Sequence, residues 1–487
     1  MLYRGTLIAA LAIVPLVSTA AAGSDQNNAQ PTAPATPDPA VTAHEIRIGE
    51  DDLAFEARVE MLELTDEAGQ VTAHLFTVAY VADDAEDDRP VTFLMNGGPG
   101  AASAYLHVGG VGPWVIDTDD QGLPTNKGRL VVNPDTWLDH TDLVFLDPVG
   151  TGFSRTVEPD DDRYFDRDAD LDSLADAIDL WLDAQDRRAS PVYLAGESYG
   201  GYRAAALPKR LMHDRGIALG GTILVSPVID FATIRHHASR PMSWAFLLPS
   251  YAASAAGHDL AEPADAQALR TFALEDYLLA LVHPDRMTAL LPRLAELTGL
   301  DQDLLRERRG RVPTSDFTSR LLAEEDLAVS AYDGLITYPL PERERGRSRV
   351  DPVLDGMTPA YVTGILTLLR EELDWPHGRD YRLLSRSVNR AWRYGSERSQ
   401  GYVSAIRDLR EVLSLDADFR VFGMHGETDL VTPWLATEWL FEQLEDALHL
   451  EDGRLVFARY PGGHMFYMRP DASAELAEDV GDFFTDD

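Results

Sequence analysis

The stretch PVYLAGESYGGYRAAAL, residues 191–207, constrains the fold of this chain more than any other. An apolar run suited to a buried strand ends at Gly196, and the helix pattern YRAAAL begins at Tyr202, six residues later. A strand that turns so sharply into a helix belongs inside a parallel sheet, with the helix returning across its face. Ser198 falls on the turn itself, flanked by glycines that tolerate the crowded backbone. That geometry lifts a hydroxyl clear of the sheet. In a chain with 36 glycines the Gly-x-Ser-x-Gly frame alone proves little, so the remaining sequence has to supply the chemistry.

The flanking sequence repeats the rhythm. Strand patterns recur at VTFLM (91–95), LVFLD (143–147), VYLAG (192–196), TILVSPVID (222–230), RVFGMHG (420–426) and RLVFARYPG (454–462). Between the second and third lies ADLDSLADAIDLWLDAQD, whose apolar residues recur at helical spacing. Buried strands alternating with helices predict an α/β fold with a mostly parallel central sheet. Ahead of them, HEIRIG, LAFEARVEMLEL and HLFTVAYVA read as N-terminal antiparallel strands. The rhythm breaks from 234 to 392, where ALEDYLLALV, MTALLPRLAELTG and AYVTGILTLLREEL are helical and PERERGRSR is a charged turn. Because strands resume afterwards, this segment is expected to be a helical insertion, or lid. It would divide the core into 41–233 and 393–487. An independent domain is the alternative.

A serine hydroxyl needs a general base, and the base needs an orienting acid. Both are expected in loops at the carboxyl ends of strands that follow the serine. HGETDLVTP after RVFGM offers Asp429, and PGGHMF after RLVFARY offers His464. His449 sits in a helix-end pattern, and His425 precedes the acid. Ser198, Asp429 and His464 are therefore the expected catalytic residues. An oxyanion hole requires backbone N–H groups aimed at the developing charge. Tyr199 follows the nucleophile, and NGGPG follows the strand VTFLM, so Tyr199 and Gly98 are the expected donors.

Taken together, NGGPG, Gly112–Pro113, DPVGTGFS (147–154), GESYGG (196–201), the segment ending at Asp429 and GGHM (462–465) resemble the serine carboxypeptidases. The resemblance runs from about residue 45 to the end and is thinnest in the helical segment. It implies the α/β-hydrolase fold, in a bacterial-type branch, and release of C-terminal residues from peptides. It also implies that Asn96 and Glu197 bind the substrate's terminal carboxylate. A protonated Glu197 can donate a hydrogen bond to that carboxylate, which predicts a mildly acidic optimum. The chain departs from the eukaryotic pattern at Leu94, where those proteins carry tryptophan, and at Gly110, where they carry a second glutamate. His107, on the same loop, is a further candidate for the carboxylate if protonated.

The formal charge of −39, from 81 acids against 42 bases, opposes nucleic acid and anionic membrane surfaces as partners. Residues 1–22 read as a signal peptide with a membrane anchor as the alternative, and 23–40 as a flexible linker. Export to the periplasm or the extracellular space is expected, without membrane attachment once the leader is removed. The absence of cysteine fits a bacterial secreted protein held together by its core alone. Neither metal-ligand clusters nor cofactor motifs occur, so no cofactor is expected and the partners are peptides with a free C-terminus. An esterase or acyltransferase using the same triad is the rival enzyme, and a catalytically silent binding protein is the rival from another class.

Overall fold

The apolar runs become strands of one ten-stranded sheet, the last of them, Leu455–Tyr460, at its edge. The computed structural model describes residues 37–83, 89–159, 161–340, 350–376, 380–395 and 400–485. The expected signal peptide, most of the linker and the charged turn 341–349 lie outside the described residues. In chain order the strands are β1 (Ala40–Ile48), β2 (Asp51–Thr65), β3 (Val71–Ala82), β4 (Val91–Met95), β5 (Trp114–Ile116), β6 (Leu130–Val132) and β7 (Asp142–Leu146). They continue with β8 (Arg155–Thr156), β9 (Val192–Glu197), β10 (Leu219–Val225), β11 (Leu327–Val329), β12 (Thr337–Pro339), β13 (Arg420–Gly426) and β14 (Leu455–Tyr460).

The large sheet runs β1-β2-β3-β7-β4-β9-β10-β13-β14, with β8 beside β3. From β7 to β14 every neighbouring pair is parallel. The strands from β1 to β3 pair antiparallel with one another, and β3 with β7. The fold is thus the α/β-hydrolase type expected, a mostly parallel sheet with antiparallel strands at its N-terminal edge. One strand ends earlier than its apolar run. TILVSPVID extends to Asp230, but β10 stops at Val225, because Ser226 turns to a φ of +42° and Pro227 has no N–H to give the ladder. The short pairs β5–β6 and β11–β12 carry too few residues for an alternation to register.

Side chains alternate between two cores, one on each sheet face. Leu94, Phe145, Ala195 and Ile223 join one cluster, while Phe93, Val144, Leu194 and Leu224 join the other. The helix Arg167–Ala184 covers the second face, its N-terminus capped by Asp166 accepting from Asp168 N–H. Its Trp181 meets Phe93 edge-to-face at 5.5 Å. Burying rings of this size contributes about 2–3 kcal/mol each. On the first face, Phe483 of the helix Pro470–Thr485 packs on Phe422 of β13. A third cluster unites the helices Pro241–Gly257 and Pro284–Thr298 with Trp434 and Leu435 after β13. Among the described residues, no helix is long and apolar enough to cross a membrane.

Candidate active site

Parallel register sets the site. Met95 of β4 lies beside Gly196 of β9, and Val225 of β10 beside Glu197 and Met424 of β13. The chain therefore leaves β4, β9, β13 and β14 at one edge of the sheet. There it delivers Asn96, Ser198, Asp429 and His464 from segments far apart in sequence.

Ser198 sits between β9 and the helix Tyr199–Arg210 with φ 61° and ψ −117°. Such a left-handed position costs a non-glycine residue about 1–3 kcal/mol. Its hydroxyl makes no cap bond to the helix; Ser198 instead lines a cavity of about 330 Å³. The flanking glycines are sterically required. A Cβ on Gly196 would stand 2.0 Å from the Gly200 carbonyl oxygen, and one on Gly97 2.4 Å from Tyr199 N. The second contact shows how closely the NGGPG loop is pressed against the nucleophile turn. Gly98 and Tyr199 both line the cavity beside Ser198.

His464 is buried, and its Nδ1 donates to Asp429 Oδ2 at 2.7 Å. Asp429 is fixed in turn by the N–H groups of Val431 and Thr432 on Oδ1, at 2.7 and 3.0 Å, and by the Thr432 hydroxyl on Oδ2 at 2.7 Å. On its other side His464 Nε2 lies 3.3 Å from Glu197 Oε1. Burial alone would lower the imidazole, but Asp429 and Glu197 together raise it to about 9. Burial also pushes the Glu197 carboxyl up, against the pull of His464, the Asn96 amide and the Gly97 N–H.

Asn96 Nδ2 donates to Glu197 Oε2 at 3.0 Å, and Asn96 Oδ1 accepts from Leu106 N–H at 2.9 Å. The two residues expected to act on the substrate carboxylate are thus in contact, but Glu197 reaches the cavity while Asn96 is fully buried behind it. The departure at Gly110 has a steric reason: a Cβ there would meet the Tyr467 carbonyl at 2.8 Å and its ring at 2.9 Å. His107 does not serve the site. Burial holds it down to about 3, its Nε2 bonds the Tyr80 hydroxyl at 2.7 Å, and its ring stacks on Phe145. His449 caps the end of the helix Trp434–Leu448, as its pattern implied.

Other supports were not anticipated from the sequence. The Tyr332 ring stands edge-on to His464 at 5.2 Å, and its carbonyl accepts the His464 N–H at 2.5 Å. Arg203, wholly buried, makes a two-pronged ion pair with Asp170 at 2.8 and 2.9 Å and donates to the Asn96 carbonyl at 2.7 Å. Its guanidinium also lies 5.0 Å from the centre of the Tyr199 ring. The pair had a readable signal. Asp170 shares the face of Leu174, Ala177 and Trp181, where a solvated acid has no place.

Residues 58–248 match the family model described as serine carboxypeptidase, a span that holds the NGGPG loop and Ser198. The chain is similar to Serine carboxypeptidase-like 35 of Arabidopsis thaliana, 32% identical over 169 residues, 33% of this chain and 34% of that protein. It is also similar to the pheromone-processing carboxypeptidase KEX1 of Coprinopsis cinerea, 35% identical over 162 residues, 31% of this chain and 25% of that protein. The chain thus spans about a third or less of the length of these relatives. Among solved structures, Kex1(delta)p, a prohormone-processing carboxypeptidase from Saccharomyces cerevisiae, superposes with a TM-score of 0.57 at 16% identity, covering 89% of this chain and 92% of that one. That likeness concerns the fold. Residues 58–248 thus resemble the serine carboxypeptidase family, and the chain as a whole shares the fold of a solved carboxypeptidase.

Proposed function

We propose that this protein is an exported serine-type carboxypeptidase that releases the last residue of peptides through an acyl-enzyme on Ser198. The observation that carries the reading is that Ser198, His464 and Glu197 line one cavity, with His464 held at 2.7 Å by Asp429. Ser198 Oγ attacks the scissile carbonyl while His464 Nε2 takes its proton and Asp429 stabilises the imidazolium. The N–H groups of Gly98 and Tyr199 receive the oxyanion. His464 then protonates the departing amine, and water hydrolyses the ester by the same steps in reverse.

The contact between Glu197 and His464 links binding to chemistry. A base must be neutral, yet the ionised Glu197 beside it favours the imidazolium. When a terminal carboxylate arrives, the proton is better placed on Glu197, where it can be donated to that carboxylate. His464 loses both the proton and the charge that held it, and becomes the base. The leader-like residues 1–22 and the lack of cysteine support export and a bacterial-type branch. The helical segment from 234 to 392, which contributes Tyr332 and other lining residues, supports a lid role.

The experiment is to offer N-blocked dipeptides with a free or an amidated C-terminus. Free-acid substrates are expected to be cleaved much faster, and a fluorophosphonate is expected to label wild type but not Ser198→Ala. Equal rates would refute carboxylate recognition. They would favour an esterase or acyltransferase, the reading to which Glu197, the one acid among the described residues of the lining, lends weight.

A further inference from the structure

The chain that follows β10 contributes Val228, Phe231, Ile234, Arg235 and His236 to the cavity lining. Val228 N–H donates to the Ser198 carbonyl at 3.1 Å, and Phe231 packs 6.0 Å from the Tyr199 ring. Four residues on, Arg235 enters the lining. Among the described residues of that lining it is the sole permanent cation. No described carboxylate pairs with it, although acids outnumber bases 81 to 42 in the chain. Neighbouring residues crowd the guanidinium enough to hold it below its usual range. Gln400, also in the lining, donates to the Tyr394 hydroxyl at 2.6 Å. Beside Arg235, His236 is kept neutral by burial, which lowers it to about 4, and its buried Nδ1 has no hydrogen-bond partner. Arg235 is exposed at the cavity wall, and a guanidinium there without a carboxylate partner, next to a buried imidazole nitrogen without one, attracts an anion of matching shape; a carboxylate fits its fork.

The carboxypeptidase reading, on which this rests, fixes which part of the substrate arrives there. Glu197 receives the leaving residue, and Arg235 belongs to the segment whose Val228 N–H holds the Ser198 carbonyl, so that segment is assigned to the acyl residue. We propose that Arg235 is a specificity-determining residue that binds the side-chain carboxylate of an aspartate or glutamate in the penultimate position of the peptide. The protein's strongly negative field repels such peptides at long range, and Arg235 reverses the sign locally.

Two substrate series test this near neutral pH. One is N-blocked dipeptides with penultimate Glu or Gln and a common leaving residue. The other is p-nitrophenyl esters of N-blocked Glu and Gln, which need no terminal carboxylate. In wild type kcat/KM is expected to favour Glu over Gln by about tenfold in both series. The Glu/Gln ratio is expected to fall to about one in R235Q and to stay above one in R235K. In R235E it is expected to fall below one, with penultimate Lys gaining. A wild-type ratio of one, or an undiminished ratio in active R235Q, overturns the proposal. Esters that show the preference while dipeptides go uncleaved would sink the carboxypeptidase reading and leave the anion subsite standing.

Discussion

Replacing Glu197 with glutamine tests the coupling that the site is built around. The substitution removes a carboxylate 3.3 Å from His464 Nε2, yet its amide oxygen can still accept from Asn96. At that separation Coulomb's law with an effective dielectric of about 20 gives about 5 kcal/mol between full charges. Burial pushes the Glu197 carboxyl up, which opposes the ionised form and makes the working effect smaller. An opposite charge at such range typically shifts a pKa by about 1–3 units. The sign follows from the structure. Glu197 helps raise His464 to about 9, so its loss lowers the imidazole, and the neutral base persists to lower pH. The assay is kcat/KM against pH with an N-blocked p-nitrophenyl ester, so that carboxylate binding plays no part. The acid limb in Glu197→Gln is expected to move down by about 1–3 pH units. An acid limb that stays in place or moves upward would refute the reasoning, because the carboxylate would then not govern His464.

Other perturbations read other parts of the same machinery. Asp429→Asn is expected to lower kcat by about 10⁴-fold with the fold intact by circular dichroism, because the wrong imidazole tautomer is then held. Ser198→Gly is expected to abolish activity and yet raise thermal stability, since glycine relieves a φ of 61° and no capping bond is lost; the gain, about 1 kcal/mol, is measurable as a higher denaturant midpoint. Arg203→Met leaves Asp170 buried without its partner and is expected to destabilise the fold by about 3–5 kcal/mol in chemical denaturation.

What the sequence disclosed is bounded by the range of local signals. The interior strands were legible because an apolar run buried on both faces leaves a mark within five to seven residues. Strand ends in parallel register then placed Ser198, Asp429 and His464 on one edge without any knowledge of contacts. The turn that fixes Asp429, whose carboxylate accepts from the N–H groups two and three residues on, is equally local. Contacts between distant segments left no such mark. Nothing near His464 announces Tyr332, and nothing near Glu197 announces that its carboxylate meets the base rather than open space. His107 looked available on its loop, and only tertiary packing against Tyr80 and Phe145 removed it. The exclusion of an acid at Gly110 likewise comes from Tyr467, which lies 357 positions later.

The buried Arg203 makes the two loops around the nucleophile a single cooperative unit. One guanidinium grips Asp170 on one helix, the carbonyl of Asn96 on the other loop, and the face of Tyr199 beside the serine. Opening the loop that carries Asn96 leaves a guanidinium N–H in the core without its acceptor, and moving the serine's helix breaks the buried ion pair, so the two loops are held to one another. Amide protons of the NGGPG loop and of the Ser198 turn should therefore exchange with solvent at a common rate, set by global unfolding rather than by local fraying. Such a site does not assemble around its substrate; it waits already formed.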